Sequence, residues 1–163
     1  MRTKLVSTVV ASMLLVSSVS AAEKFIGVGY ANVDNEGSSS SGVSLDVGVK
    51  FGETFKQKIA MKYTLLGKDV NNLGDIYYSL GYEVLPSTVL ALNAGLGFES
   101  IGSIGTGSSK TAAYAIGLCY GTSLTYEISK SFDISASYSK YDLSFETLHH
   151  KVDVMDISLS YSF

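Results

Sequence analysis

The chain closes on "DISLSYSF", residues Asp156 to Phe163, and that stretch carries the key to the fold. Counted back from the end, Phe163, Tyr161, Leu159, Ile157 and Met155 are large and apolar. Ser162, Ser160, Ser158 and Asp156 stand between them. Alternation with a period of two marks a β-strand whose two faces meet different surroundings. The question is which surroundings want the row that ends in a bare phenylalanine.

The same alternation recurs upstream. Ile76, Tyr78, Leu80, Tyr82 and Val84 interleave with Tyr77, Ser79, Gly81 and Glu83. Leu90, Leu92, Ala94, Leu96 and Phe98 interleave with Ala91, Asn93, Gly95 and Gly97. The longest run is Tyr114, Ile116, Leu118, Tyr120, Thr122, Leu124, Tyr126 and Ile128. No stretch after residue 23 shows helical spacing. Eight strand segments are expected, at about 24–33, 43–52, 56–66, 75–85, 88–101, 111–128, 132–145 and 152–163. The connections alternate between long ("DNEGSSSSG", "GKDVNNLGD", "GSIGTGSSK", "ETLHHK") and tight ("GETF", "LPST", "SKS"). A local echo, "SLGYE", "GLGFE" and "SLTYE", fits one hairpin repeated four times.

The opening 22 residues differ from the rest. Arg2 and Lys4 precede an apolar stretch from Leu5 to Val16, and small residues follow at Ser20, Ala21 and Ala22. That is the layout of a cleavable secretory signal over residues 1–22, with the barrel domain over 23–163. Without Arg2 and Lys4, ten basic residues face fifteen acidic ones, and no arginine is left. Such a chain offers no patch for nucleic acid. The single cysteine, Cys119, can form no internal disulfide.

Volume decides which face points inward. An eight-stranded barrel has an interior only just wide enough to be filled by side chains. The large Leu, Ile, Tyr and Phe rows would overfill it, whereas the Gly, Ser and Ala rows fit. The apolar rows therefore face outward, into lipid. The inverse arrangement would put Asp46, Lys62, Glu99 and Asp156 against hydrocarbon, at roughly 2–4 kcal/mol for a lysine at the midplane. Several such residues would outweigh a domain stability of about 5–15 kcal/mol. Lipid also forbids an open sheet edge, so the expected fold is all-β: an eight-stranded antiparallel up-and-down transmembrane β-barrel.

Alternation then assigns side chains. Asp46, Lys50, Lys58, Lys62, Glu83, Asn93, Glu99, Glu127, Asp133 and Asp156 point into the lumen as a polar network that fills it. Phe51, Tyr82, Tyr126, Phe132, Tyr161 and Phe163 form an aromatic girdle at the periplasmic interface. Tyr30, Tyr63, Tyr78, Phe98, Tyr114 and Tyr138 form one nearer the outer surface. One segment breaks phase: beyond Tyr138 the apolar residues are Tyr141, Leu143 and Phe145. Either a bulge near Lys140 or emergence of the strand from the membrane accounts for this.

On these residues the chain resembles the small eight-stranded outer-membrane barrels of Gram-negative bacteria, the OmpX, OmpA-barrel and opacity-protein group. The resemblance implies export through the periplasm to the outer membrane, a monomer, and contact with outer-membrane lipid and lipopolysaccharide. It also implies that Met155, Ile157, Leu159, Tyr161 and Phe163 form the C-terminal signal read by the barrel-insertion machinery. No cofactor or metal is expected. The function expected is non-enzymatic, structural or interactive at the surface; a narrow channel for very small solutes and a lipid A-modifying enzyme at the outer rim are the alternatives. A rim enzyme would have to draw on His149, His150, Ser144, Glu146 and Asp153, the only arrangement containing histidine. The Gly/Ser stretch "GSIGTGSSKT" lacks the glycine directly before Lys110 and the helix that a phosphate loop needs.

Overall fold

In the computed structural model, which describes residues 22–66, 72–104, 111–145 and 148–163, eight strands follow one another. They are β1 (Glu23–Asn35), β2 (Ser38–Phe51), β3 (Phe55–Leu66), β4 (Leu73–Leu85), β5 (Thr88–Ile104), β6 (Thr111–Glu127), β7 (Phe132–Phe145) and β8 (Leu148–Ser162). Each strand pairs antiparallel with the next, and β1 pairs with β8, so the sheet closes into a barrel. Closure leaves no edge along the ladder, the condition for a sheet in lipid. The last residue takes part: Phe163 N donates to Lys24 O at 2.8 Å, and Lys24 N donates to Phe163 O at 3.2 Å. The proposed signal, residues 1–22, falls almost wholly outside the described residues.

The strands run further than composition suggests. "DNEGSSSSG" is not a nine-residue loop. β1 and β2 continue through it and turn at Glu36 and Gly37 alone, both at positive φ (49° and 92°). Two consecutive positive φ values make the two-residue hairpin turn whose twist matches that of the strands. Gly37 N donates to Asp34 Oδ1 at 2.9 Å, which anchors the turn. β4 likewise starts at Leu73, inside "GKDVNNLGD", and β8 at Leu148, inside "ETLHHK". Residues 67–71, 105–110 and 146–147 of the outer connections lie outside the described residues.

The apolar rows face outward. Val28, Tyr30, Ile76, Leu92, Leu96, Leu118, Met155, Ile157 and Phe163 are all exposed. Their neighbours in sequence line the lumen: Ser44, Asp46, Asp75, Ser79, Ser135, Asp156, Ser158 and Ser160 are buried. The surface of this barrel is what an aqueous protein keeps inside.

β7 and β8 then change character without changing register. Below, β7 shows Phe132, Ile134, Ala136 and Tyr138 outward and Asp133, Ser135, Ser137 and Ser139 inward. Above, Lys140 and Asp142 are outward and exposed, while Tyr141 and Leu143 are inward and buried. β8 does the same: Met155 gives way outward to Asp153 and Lys151, and Asp156 gives way inward to Val154 and Val152. Pairing between β7 and β8 is continuous from Phe132↔Tyr161 to Phe145↔Leu148, so there is no bulge near Lys140. Of the two explanations for the phase change, emergence from the membrane is the one the register supports. Alternation continues, and the solvent on the outer face changes from lipid to water.

Candidate functional site

Among the described residues the buried charges collect in the lumen, and its geometry follows from register. Asp46 on β2 lies beside Lys62 on β3, and Lys62 lies beside Asp75 on β4. The lysine reaches across the barrel instead of along the row. Lys62 Nζ donates to Asp156 Oδ1 on β8 at 3.0 Å and approaches Ser137 Oγ at 3.4 Å. The other carboxylate oxygen of Asp156 accepts from the Ser44 hydroxyl. Lys58 pairs with Asp46 Oδ2 at 3.5 Å, and the Tyr77 hydroxyl donates to the same oxygen at 3.0 Å.

Toward the periplasmic end, Lys50 pairs with Asp133 and donates to Ser162 Oγ at 2.9 Å. The ammonium groups of Lys50 and Lys58 each sit 5.1 Å from the centre of the buried Phe25 ring. Stacking two cations on one aromatic face system lets them approach inside the lumen with less mutual cost. Breaking any one of these pairs would leave an uncompensated buried charge.

Two aromatic groups that alternation alone did not single out complete the network. Tyr77 is buried against Lys58, whose ammonium lies 5.0 Å from its ring centre. Tyr141 donates its hydroxyl to Asp75 Oδ2 across the lumen. Room for that ring comes from Gly97, where an added Cβ would come within 2.4 Å of Tyr141 Cδ1. The lumen's small residues are thus sized to particular large ones.

Outward of this network the lumen is lined by buried apolar side chains. Ala31, Val33, Leu73, Ala115, Tyr141, Leu143, Val152 and Val154 form a buried cluster, with Leu66 and Phe145 packed against it. His150 Nε2 contacts Glu99 across the barrel in the same outer region. Among the side chains of the network a cavity of about 20 Å³ is left, lined by Asp46, Lys58, Lys62, Asp75, Asn93 and Cys119, among others.

Not every residue assigned to the lumen joins the network. Glu83 and Glu127 are exposed at the periplasmic strand ends, where the barrel opens to water. Glu83 instead accepts from Ser87 N at 2.9 Å and braces the β4–β5 turn, in which Ser87 has φ of 60°. Glu99 is buried but paired with His150, not with a lysine. Asn93 lines the cavity. Cys119 is free and buried.

The girdle aromatics lie on the outer face. Phe132 and Tyr161 have ring centres 5.1 Å apart, Tyr161 and Phe163 stack at 6.1 Å, and Phe55 meets Tyr82 at 6.0 Å near the same end. Toward the other end Tyr63 and Phe98 are 6.4 Å apart. The Phe98 ring covers Gly74, leaving no room there for a Cβ (2.3 Å to Cζ). Tyr138 donates to Asp153 Oδ2 at 2.8 Å, at the level where the outer face turns polar.

The residues considered for rim catalysis do not converge. His150 points inward to Glu99, whereas His149 is exposed, on the opposite face of β8. Asp153 is engaged by Tyr138 and Lys140 on the outside, and Ser144 Oγ donates to Ile116 O at 3.2 Å. Glu146 lies outside the described residues.

No protein-family model and no curated protein matches the sequence. Solved structures match over nearly the whole barrel. Neisserial surface protein A (NspA) has a TM-score of 0.62 at 16% identity, covering 88% of this chain and 98% of that one. Ail, the attachment invasion locus protein of Yersinia pestis, seen with the heparin analogue sucrose octasulfate, has a TM-score of 0.57 at 20% identity, over 87% and 99%. The N-terminal β-barrel domain of OprF from Pseudomonas aeruginosa has a TM-score of 0.57 at 14% identity, over 87% and 99%. At such identities the likeness speaks for the fold. The chain has the fold of the small eight-stranded outer-membrane barrels of Gram-negative bacteria, with the lipid-facing apolar exterior of a transmembrane one.

Proposed function

We propose that this chain is a non-enzymatic, monomeric barrel of the outer membrane whose lumen is closed and whose role is structural or interactive at the cell surface. One observation carries the reading: ion pairs cross the lumen in its middle and periplasmic parts, and an apolar cluster caps them. The cavity of about 20 Å³ among these pairs has room for one or two waters, not a file of them. A solute path would need several of these pairs to open together, each leaving buried charge uncompensated.

Met155, Ile157, Leu159, Tyr161 and Phe163 form an exposed apolar row on the closing strand, which suits recognition by the insertion machinery. The surface that projects beyond the lipid is mixed in charge: Asp34, Glu36 and Asp142 are exposed, as are Lys140 and Lys151. That mixture does not favour a sulfated ligand of the kind bound by the Yersinia protein, and points to neutral or mixed-charge contacts.

The test is electrical. Chain purified from membranes and reconstituted into planar bilayers is expected to insert without discrete current steps. Reproducible steps would replace this reading with the narrow channel. A change in the mass of lipid A that depends on His150 would replace it with the rim enzyme.

A further inference from the structure

We propose that the centre of the lumen binds one monovalent metal ion, about the size of a water molecule, held by oxygens of Asp75, Asp46 and Asn93. The starting point is a charge count. Three lysines in the central and periplasmic network each have an aspartate: Lys50 with Asp133, Lys58 with Asp46, Lys62 with Asp156. The fourth aspartate, Asp75, has the Tyr141 hydroxyl as its partner and no ammonium ion-paired to it among the described residues. It is only 4% exposed. The network therefore carries one negative charge more than its lysines balance, in a place where unbalanced charge is costly.

The second observation is independent of that count. Asp75 Oδ1, Asp46 Oδ1 and Asn93 Oδ1 are buried and have no hydrogen-bond partner. The three residues come from β4, β2 and β5 and line one cavity. Carboxylate oxygens only accept, so Asp46 and Asp75 cannot satisfy each other. A water in the cavity donates two hydrogen bonds and supplies no charge. Turning the Asn93 amide around would offer a donor to one carboxylate and again leave the charge. A cation on the three oxygens answers both deficits.

The size and charge of the guest follow. The cavity, about 20 Å³, exceeds the roughly 10–15 Å³ that a water-sized guest needs. Hard cations take oxygen ligands. A divalent ion would overshoot the single missing charge, next to Lys58 and Lys62, which also line the cavity. Sodium or potassium balances it.

The test compares unfolding midpoints of the membrane-purified chain in sodium, potassium and choline chloride at equal ionic strength. In sodium or potassium the midpoint should rise in a saturable way, by about 3 °C or more over choline. Asp75→Asn should abolish that rise and should itself be more stable than the wild type in choline. Equal midpoints in all three salts would overturn the proposal. A midpoint indifferent to the cation but falling as pH rises, with Asp75→Asn cancelling the fall, would mean that a proton balances the charge, and would also overturn it. Should Asp75→Asn fail to fold, Asn93→Ala removes one ligand oxygen without altering charge. Sodium-23 line broadening by the wild type, reduced several-fold in Asn93→Ala, then supports the site; no broadening by the wild type refutes it.

Discussion

The lower and upper parts of β7 and β8 are built on opposite plans. Below the level of Tyr138 and Met155 the outside is apolar and the inside holds paired charges. Above it the outside carries Lys140, Asp142, Lys151 and Asp153, and the inside holds Tyr141, Leu143, Val152 and Val154. On these two strands the lower part is built for lipid and the upper part for water, while the adjoining β6 keeps Leu118 and Ile116 exposed opposite Asp142 and Ser144. Alternation in a strand says only that two faces differ; the solvent on each side decides which chemistry goes where.

The two plans differ in what a single substitution can do. In the lower part, stability rests on pairing charges that cannot reach water. Lys62→Ala leaves Asp156, the carboxylate it reaches across the lumen, without its ammonium partner. A loss of about 3–5 kcal/mol is expected, read as a lower urea midpoint in lipid vesicles. Conductance should stay absent, because the apolar cluster still caps the lumen. A variant of unchanged stability that passes current would mean the lower lumen is a path and not a filled core.

A lysine scan on the outer face maps the boundary directly. Ile134→Lys puts a charge against hydrocarbon and should cost about 2–4 kcal/mol. Asp142→Lys, eight residues along the same face of β7, should leave the urea midpoint nearly unchanged. If both substitutions cost the same, the chemical inversion on β7 and β8 does not mark the edge of the lipid.

Packing between small and large lumen residues supplies a third test. Gly97→Ala sets a methyl group against the Tyr141 ring and pushes its hydroxyl away from Asp75. Overpacking of this sort costs about 1–3 kcal/mol. The double variant Gly97→Ala with Tyr141→Phe should recover little of it, since the ring and not the hydroxyl is in the way.

Much of this was legible in the sequence, and the exceptions have physical reasons. The lower plan stands out because its two faces differ so strongly in size: Leu90, Leu92 and Leu96 against Asn93, Gly95 and Gly97. The upper plan was visible as a phase change after Tyr138, but alternation could not tell a bulge from a change of solvent. Asp75 and Tyr77 share the parity of Ser79 and Gly81, so their inward direction could have been read. Asp75 was hidden because Gly, Asn and Asp around it suggested a loop. "DNEGSSSSG" misled in the same way: serine and glycine suit a strand whose outer face has left the lipid as well as they suit a turn.

Glu83 and Glu127 have lumen parity too, yet a charge at a strand end reaches water without a partner. Pairs such as Lys62 with Asp156 join strands five places apart in the chain, and which residues share a level there depends on the barrel's tilt. No periodicity in one strand encodes that.

The smallest effect belongs to the pair that sits at the boundary itself. Lys140 Nζ lies 3.3 Å from Asp153 Oδ2 on the outer face, and both side chains are largely accessible (46% and 40%). Removing Lys140 leaves Asp153 free to meet water and to keep its bond from Tyr138, so Lys140→Ala should shift the urea midpoint by no more than its error. The same geometry buried, in Lys62 and Asp156 (12% and 1%), should be among the most sensitive in the molecule. If Lys140→Ala proved as damaging as Lys62→Ala, the outer end of β7 would lie in lipid after all. The inversion would then have to be explained by a partner covering Lys140 and Asp153, not by water.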